Sequence, residues 1–145
     1  MKMVRSFLVA MLFLISMTSC SKVTYPVELN TPFADLQVTG IQIVSSYPEG
    51  CDINVDDNCF QAEEGERVLI IWMVPKGDYD IGKVRNGIFD HCSSATLKFK
   101  GVDELPASTG GRVPDGRFYL QYFVPEGVDT FYLTWFENSK VKLTE

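Results

Sequence analysis

The chain has 145 residues and a formal net charge of −6, with 19 Asp and Glu against 13 Lys and Arg. An acidic balance of this kind argues against nucleic acid or an anionic lipid surface as a partner, because like charges repel. A single histidine excludes a zinc site built on several imidazoles, and the length suits one domain with its own core.

Lys2 and Arg5 open the chain, and Phe7 to Met17 is almost wholly apolar. The run is too short to cross a bilayer, which takes about 20 apolar residues. Thr18, Ser19 and Cys20 follow it. A small residue before a cysteine, directly after such a run, resembles the lipobox of bacterial lipoproteins, with Met17 standing where leucine is usual. The resemblance implies a signal peptide over residues 1–19 and acylation of Cys20. It also implies a chain anchored to a bacterial membrane, facing the periplasm or the cell exterior. Ordinary secretion, with Cys20 left as a plain cysteine, is the alternative. Residues 20–34 then read as the lipidated cysteine and an extended tether, since Pro26 and Pro32 bar a helix.

The domain is expected over residues 35–145. Leu36 and Val38 alternate with polar residues, and Ile41 and Ile43 resume one place out of phase. The phase shift predicts a bulge at Gly40. Residues 45–65 read as loop. Val68 to Val74 is an unbroken apolar run, the pattern of a central strand buried on both faces. Residues 78–86 read as loop with a weak strand. Ala95, Leu97 and Phe99 alternate with Thr96, Lys98 and Lys100 as a half-buried strand. Residues 102–116, rich in Pro and Gly, read as loop. Strands are expected at 117–124, 130–136 and 140–144, separated by turns. No segment shows helical periodicity. About seven short strands at regular spacing predict an all-β antiparallel sandwich.

Three stretches carry a second resemblance: Arg117 to Pro125, Phe131 to Trp135, and Val141 to Leu143. With Leu36-Gln-Val-Thr and Gly65-Glu-Arg-Val-Leu-Ile-Ile, they are similar to the immunoglobulin-like (telokin-like) domains of bacterial lipoproteins of unknown function. The resemblance implies an immunoglobulin-like fold and brings no activity with it.

If Cys20 is acylated, Cys51, Cys59 and Cys92 remain, allowing one bridge and one spare thiol. Cys51–Cys59 is the preferred pairing because its loop is short and an exported protein meets an oxidising compartment. If Cys20 is not acylated, two bridges become possible. Within that loop Asp52, Asn54 and Asp56 alternate, and Glu63 falls at the twelfth position. This is the oxygen-ligand spacing of a calcium loop, but Asp57 occupies the place that needs glycine. An acidic solvated turn is the simpler account.

A second candidate lies on the strands near the C-terminus. Alternation puts Phe118, Leu120, Tyr122 and Val124 on one face, and Tyr119, Gln121 and Phe123 on the other. Phe131, Leu133 and Trp135 likewise share a face, leaving Tyr132, Thr134 and Phe136 opposite. An outer face bearing Tyr119, Gln121, Phe123, Tyr132, Thr134 and Phe136 would suit a sugar ring or a protein partner. Cross-strand packing or cover by a loop is the competing account. His91-Cys92 lacks the geometry of a nucleophile with its base, because neighbours on a strand point apart. Thr109 to Gly116 lacks the helix that a phosphate-binding loop requires. The expected function is therefore a surface-tethered, non-enzymatic module that binds a protein or glycan. A structural subunit of an envelope complex comes second, and a calcium-stabilised adhesion-type domain third.

Overall fold

The computed structural model describes residues 22–145, so Cys20 and the expected signal segment lie outside the described residues. The first strands in chain order are β1 (Val27–Asn30), β2 (Asp35–Val44), β3 (Ser46–Tyr47), β4 (Phe60–Gln61) and β5 (Glu66–Pro75). Helix α1 (Ile81–His91) and a 3-10 turn (Cys92–Ser94) follow. The chain ends with β6 (Thr96–Phe99), β7 (Val102–Pro106), β8 (Thr109–Arg112), β9 (Phe118–Pro125), β10 (Thr130–Trp135) and β11 (Asn138–Thr144).

The strands form a five-stranded sheet, ordered β1-β2-β5-β9-β8, and a four-stranded sheet, ordered β11-β10-β6-β7. All pairings are antiparallel. The expected all-β sandwich is thus present, with eleven strands among the described residues rather than about seven. The bulge expected at Gly40 is present as a register shift between Val38 and Gly40 against β5.

Alternation along the strands builds the main core. Leu69, Ile71 and Met73 of β5, with Phe118, Leu120, Tyr122 and Val124 of β9, come from one sheet. Leu97, Phe131, Leu133, Trp135 and Leu143 come from the other. Two buried polar tips hold the segment that leads from α1 into β6 against the core. The Tyr122 hydroxyl donates to the Ala95 carbonyl at 2.8 Å, and burial pushes its phenol well above the ordinary tyrosine range. Trp135 Nε1 donates to the His91 carbonyl at 3.0 Å.

Four expectations are corrected. Residues 27–30 are not tether: β1 pairs with β2, and Leu29 is fully buried. Residues 78–86 are not loop with a weak strand, because α1 begins at Ile81. Its N-cap Asp80 accepts a hydrogen bond from the Lys83 amide at 2.8 Å, satisfying one of the free amides of the first turn. Only Val84 and Ile88 of α1 are buried, too few to give a periodic signal. Residues 102–116 contain β7 and β8, and residues 45–65 contain the β3–β4 hairpin.

Glycines let the helix sit close. A Cβ on Gly110 of β8 would lie 2.8 Å from Ile88 Cγ2 and 3.0 Å from the Tyr119 carbonyl. One on Gly87 would lie 2.4 Å from the Phe33 ring. The Gly-rich stretch is therefore the seat of α1, and glycine permits the close approach.

Candidate functional site

The two halves of the expected aromatic face belong to different sheets. Tyr119, Gln121 and Phe123 lie on the outer face of the five-stranded sheet; Tyr132 and Thr134 lie on the outer face of the four-stranded sheet. They point to opposite sides of the sandwich and cannot meet one ligand.

The first half is also roofed over. Val68, Ile70 and Trp72 form a second buried cluster, covered by Tyr47, Phe60 and Ala62 from the β3–β4 region. Tyr119 and Phe123 pack into this cluster. Tyr47 meets Trp72 edge-on at 5.4 Å, and Phe60 meets Tyr119 at 5.9 Å. The Arg117 guanidinium lies 3.8 Å from the Trp72 ring centroid. It is held there by Asp115, whose carboxylate accepts from Arg117 Nε at 2.8 Å. That bond keeps the Asp115 carboxyl below its ordinary range. Trp72 Nε1 donates to Gln42 Oε1 at 3.0 Å. Burial raises the Tyr119 phenol above its ordinary range. Gln121 is 1% exposed, and its Nε2 has no protein hydrogen-bond partner among the described residues. This half is a satellite core, not an open platform.

The connection between β3 and β4 is closed by the Cys51–Cys59 disulfide; Cys92 is the free cysteine among the described residues. Asp52 Oδ1 accepts from the Asn54 amide at 2.9 Å and from Asn54 Nδ2 at 3.0 Å. Asp56 Oδ2 accepts from the Asp52 amide at 2.9 Å. Asp52, Asn54 and Asp56 are thus committed to shaping a turn, as Asx residues do. Glu63 stands beyond β4 and outside that turn. Among the described residues, no three His, Cys, Asp or Glu side chains form a group that could hold a metal ion. The sequence reading passed over Ile53 and Val55, which stand 58% and 76% exposed at the tip of the closed loop. The signal was available: two β-branched apolar residues inside an otherwise acidic turn have no core to enter.

The loop should matter to the satellite core beneath it. A bridge closing this short a loop removes unfolded-state freedom worth about 2–3 kcal/mol. Replacing Cys51 and Cys59 by serine is expected to lower the urea midpoint accordingly, with a slightly steeper denaturant slope because the freed unfolded chain exposes more surface. An unchanged midpoint would mean that the hairpin holds its place without the bridge.

On the four-stranded sheet, Tyr132 is in register with Lys142 on one side and Lys98 on the other. It separates two shallow hollows. One, of about 470 Å³, is lined by Lys22, Asp129, Thr130, Lys142, Thr144 and Glu145. The other, of about 380 Å³, is lined by Lys98, Phe99, Lys100, Gly101, Asp103 and Thr130. The flanking lysines were legible as the polar positions of β6 and β11, but not as neighbours of Tyr132. Phe136 leaves this face. At φ 53° it turns the chain after β10, and its ring meets His91 at 5.4 Å and Phe33 at 5.8 Å.

The His91 ring stacks on Phe33, whereas the Cys92 thiol donates to the Phe89 carbonyl at 3.2 Å. Each is occupied with a different neighbour, and neither is hydrogen-bonded to the other. Among the described residues no helix is long and apolar enough to cross a membrane. Comparison of the chain with known protein families, with curated proteins and with solved structures finds no match to any of the three.

Proposed function

We propose that this chain is an exported, lipid-anchored, non-enzymatic module of immunoglobulin-like type, and that it binds a protein or glycan outside the cytoplasm. A protein is the favoured class. The observation that carries this reading is the disulfide-tied loop, which displays Ile53 and Val55 to solvent on a covalently closed turn. Such a turn has lost most of its freedom before binding, so little ordering cost is left to be met at the interface. The hairpin beneath it is seated by the Tyr47, Phe60 and Trp72 contacts, and a rigid scaffold under an exposed loop is the usual arrangement for recognition. The lipobox resemblance at Cys20 supports the address, and the two antiparallel sheets support the immunoglobulin-like assignment. The structural-subunit reading differs only in having one constant partner.

Site-specific photocrosslinking in cells expressing the chain tests this. A crosslinking residue at Val55 should trap one discrete protein adduct, and one at the exposed Lys83 should not. Ile53→Asp should reduce the adduct by about tenfold, the loss typical of a truncated anchor residue. The absence of any adduct at Val55, or equal adducts at both positions, would sink the proposal.

A further inference from the structure

We infer that the outer face of the four-stranded sheet, around Tyr132, lies against the bilayer to which Cys20 anchors the chain. The inference rests on the lipid-anchor reading above and adds an orientation and a ligand surface to it.

The first ground is where residues 22–25 sit on the fold. The expected tether is built into the fold: the Val23 amide donates to Thr144 Oγ1 at 2.9 Å, and the Tyr25 hydroxyl donates to the Thr144 carbonyl at 2.6 Å. Thr144 pairs with Thr130, which shares its sheet face with Tyr132. Lys22 lines the same hollow as Tyr132 and Lys142. Cys20 precedes Lys22 by two residues, which span at most about 7 Å of chain. An acyl group on Cys20 therefore enters the membrane near the hollow that Lys22 shares with Tyr132.

The second ground is the chemistry of the face. Lys22 and Lys142 border one hollow, and Lys98 and Lys100 border the other. Tyr132 stands between them, 37% exposed. Tyrosine is enriched at the membrane interface, and lysine stems lie along apolar surface while the ammonium reaches phosphate. Asp129 and Glu145 share the first hollow and Asp103 the second. The face is thus mixed in sign, which suits phospholipid headgroups that carry an ammonium beside the phosphate. The net negative charge of the chain does not oppose this, since screening confines each contact to its own neighbourhood. The β3–β4 hairpin covers the opposite sheet, so a chain docked in this way holds Ile53 and Val55 away from the bilayer.

The test is amine footprinting of the full chain, extracted from membranes and reconstituted into zwitterionic phosphatidylethanolamine–phosphatidylcholine vesicles. A water-soluble acylating reagent is applied and each lysine is read by mass spectrometry, with a chain starting at Ser21, which lacks both the signal segment and Cys20, as the unanchored reference. Lys98, Lys100 and Lys142 should react about fivefold more slowly on vesicles, because an ammonium hydrogen-bonded to a headgroup phosphate is withheld from the reagent, while Lys83 reacts at its reference rate. A lipidated chain whose Lys98 and Lys142 react at the reference rate overturns the docking, leaves the anchor intact, and frees the face for a glycan or protein. A mature mass without acyl chains overturns the anchor reading, and the docking fails with it.

Discussion

Leu29→Ala is expected to cost about 2–5 kcal/mol of folding free energy, the range for truncating a buried leucine. Starting the domain at Ala34 is expected to prevent stable folding altogether. Leu29 is fully buried against the main core, and the strand that carries it forms the edge of the five-stranded sheet. The same segment joins the two sheets. The Asn30 amide donates to Asn138 Oδ1 at 3.0 Å, and Asn138 Nδ2 donates back to the Asn30 carbonyl at 2.7 Å. The Tyr25 hydroxyl donates to the Thr144 carbonyl and accepts from the Thr144 amide, closing the β11 end in the same way. Loss of the strand removes the leucine, these hydrogen bonds and the cover over Leu36 together. Against a total stability of about 5–15 kcal/mol for a domain, little would be left. Urea denaturation of the two variants beside the parent decides the matter. A parent-like midpoint for the chain starting at Ala34 would restore residues 22–33 to the role of a tether.

The sequence misled at this point for a physical reason. Val27-Glu-Leu-Asn is flanked by Pro26 and Pro32, and only Leu29 of the four is fully buried. An edge strand with one buried side chain leaves almost no periodic trace. Long strands with full alternation left a clear one: β2, β5, β9 and β10 lie where the apolar pattern places them. The bulge at Gly40 was equally visible, because a one-residue slip exchanges the faces of every later side chain. Helix α1 escaped notice because it has two buried residues and two internal glycines, one of them cut to receive Phe33. The ligand face was half legible. Alternation within each strand was read correctly, but which sheet each strand joins depends on long-range pairing that no local pattern records. One clue did exist. The run from Val68 to Val74 signalled a strand buried on both faces, and the strand that lies beside it, β9 in the structure, shares its cover.

That clue sets the second large expectation. Tyr119→Ala and Phe123→Ala should each destabilise the domain by about 2–3 kcal/mol, somewhat less than a fully buried aromatic truncation. This corresponds to roughly a 10 °C fall in Tm for a domain of this size. Tyr132→Ala should change stability by less than about 1 kcal/mol, as surface substitutions do. The three residues look alike in the sequence, each an outward aromatic on a strand. They differ in what lies above them. Tyr119 sits between Trp72, at 6.2 Å, and Phe60, at 5.9 Å, so its removal opens a cavity beneath the hairpin. Phe123 borders the same cluster. Tyr132 has only lysines in register beside it and solvent above. Thermal melts of the three variants therefore test the hairpin cover directly. Equal small shifts would mean that the hairpin is not seated on the sheet, and the five-stranded face would become available to a ligand. Two large shifts and one small one would leave Tyr132 as the aromatic of this set free to meet something outside the fold.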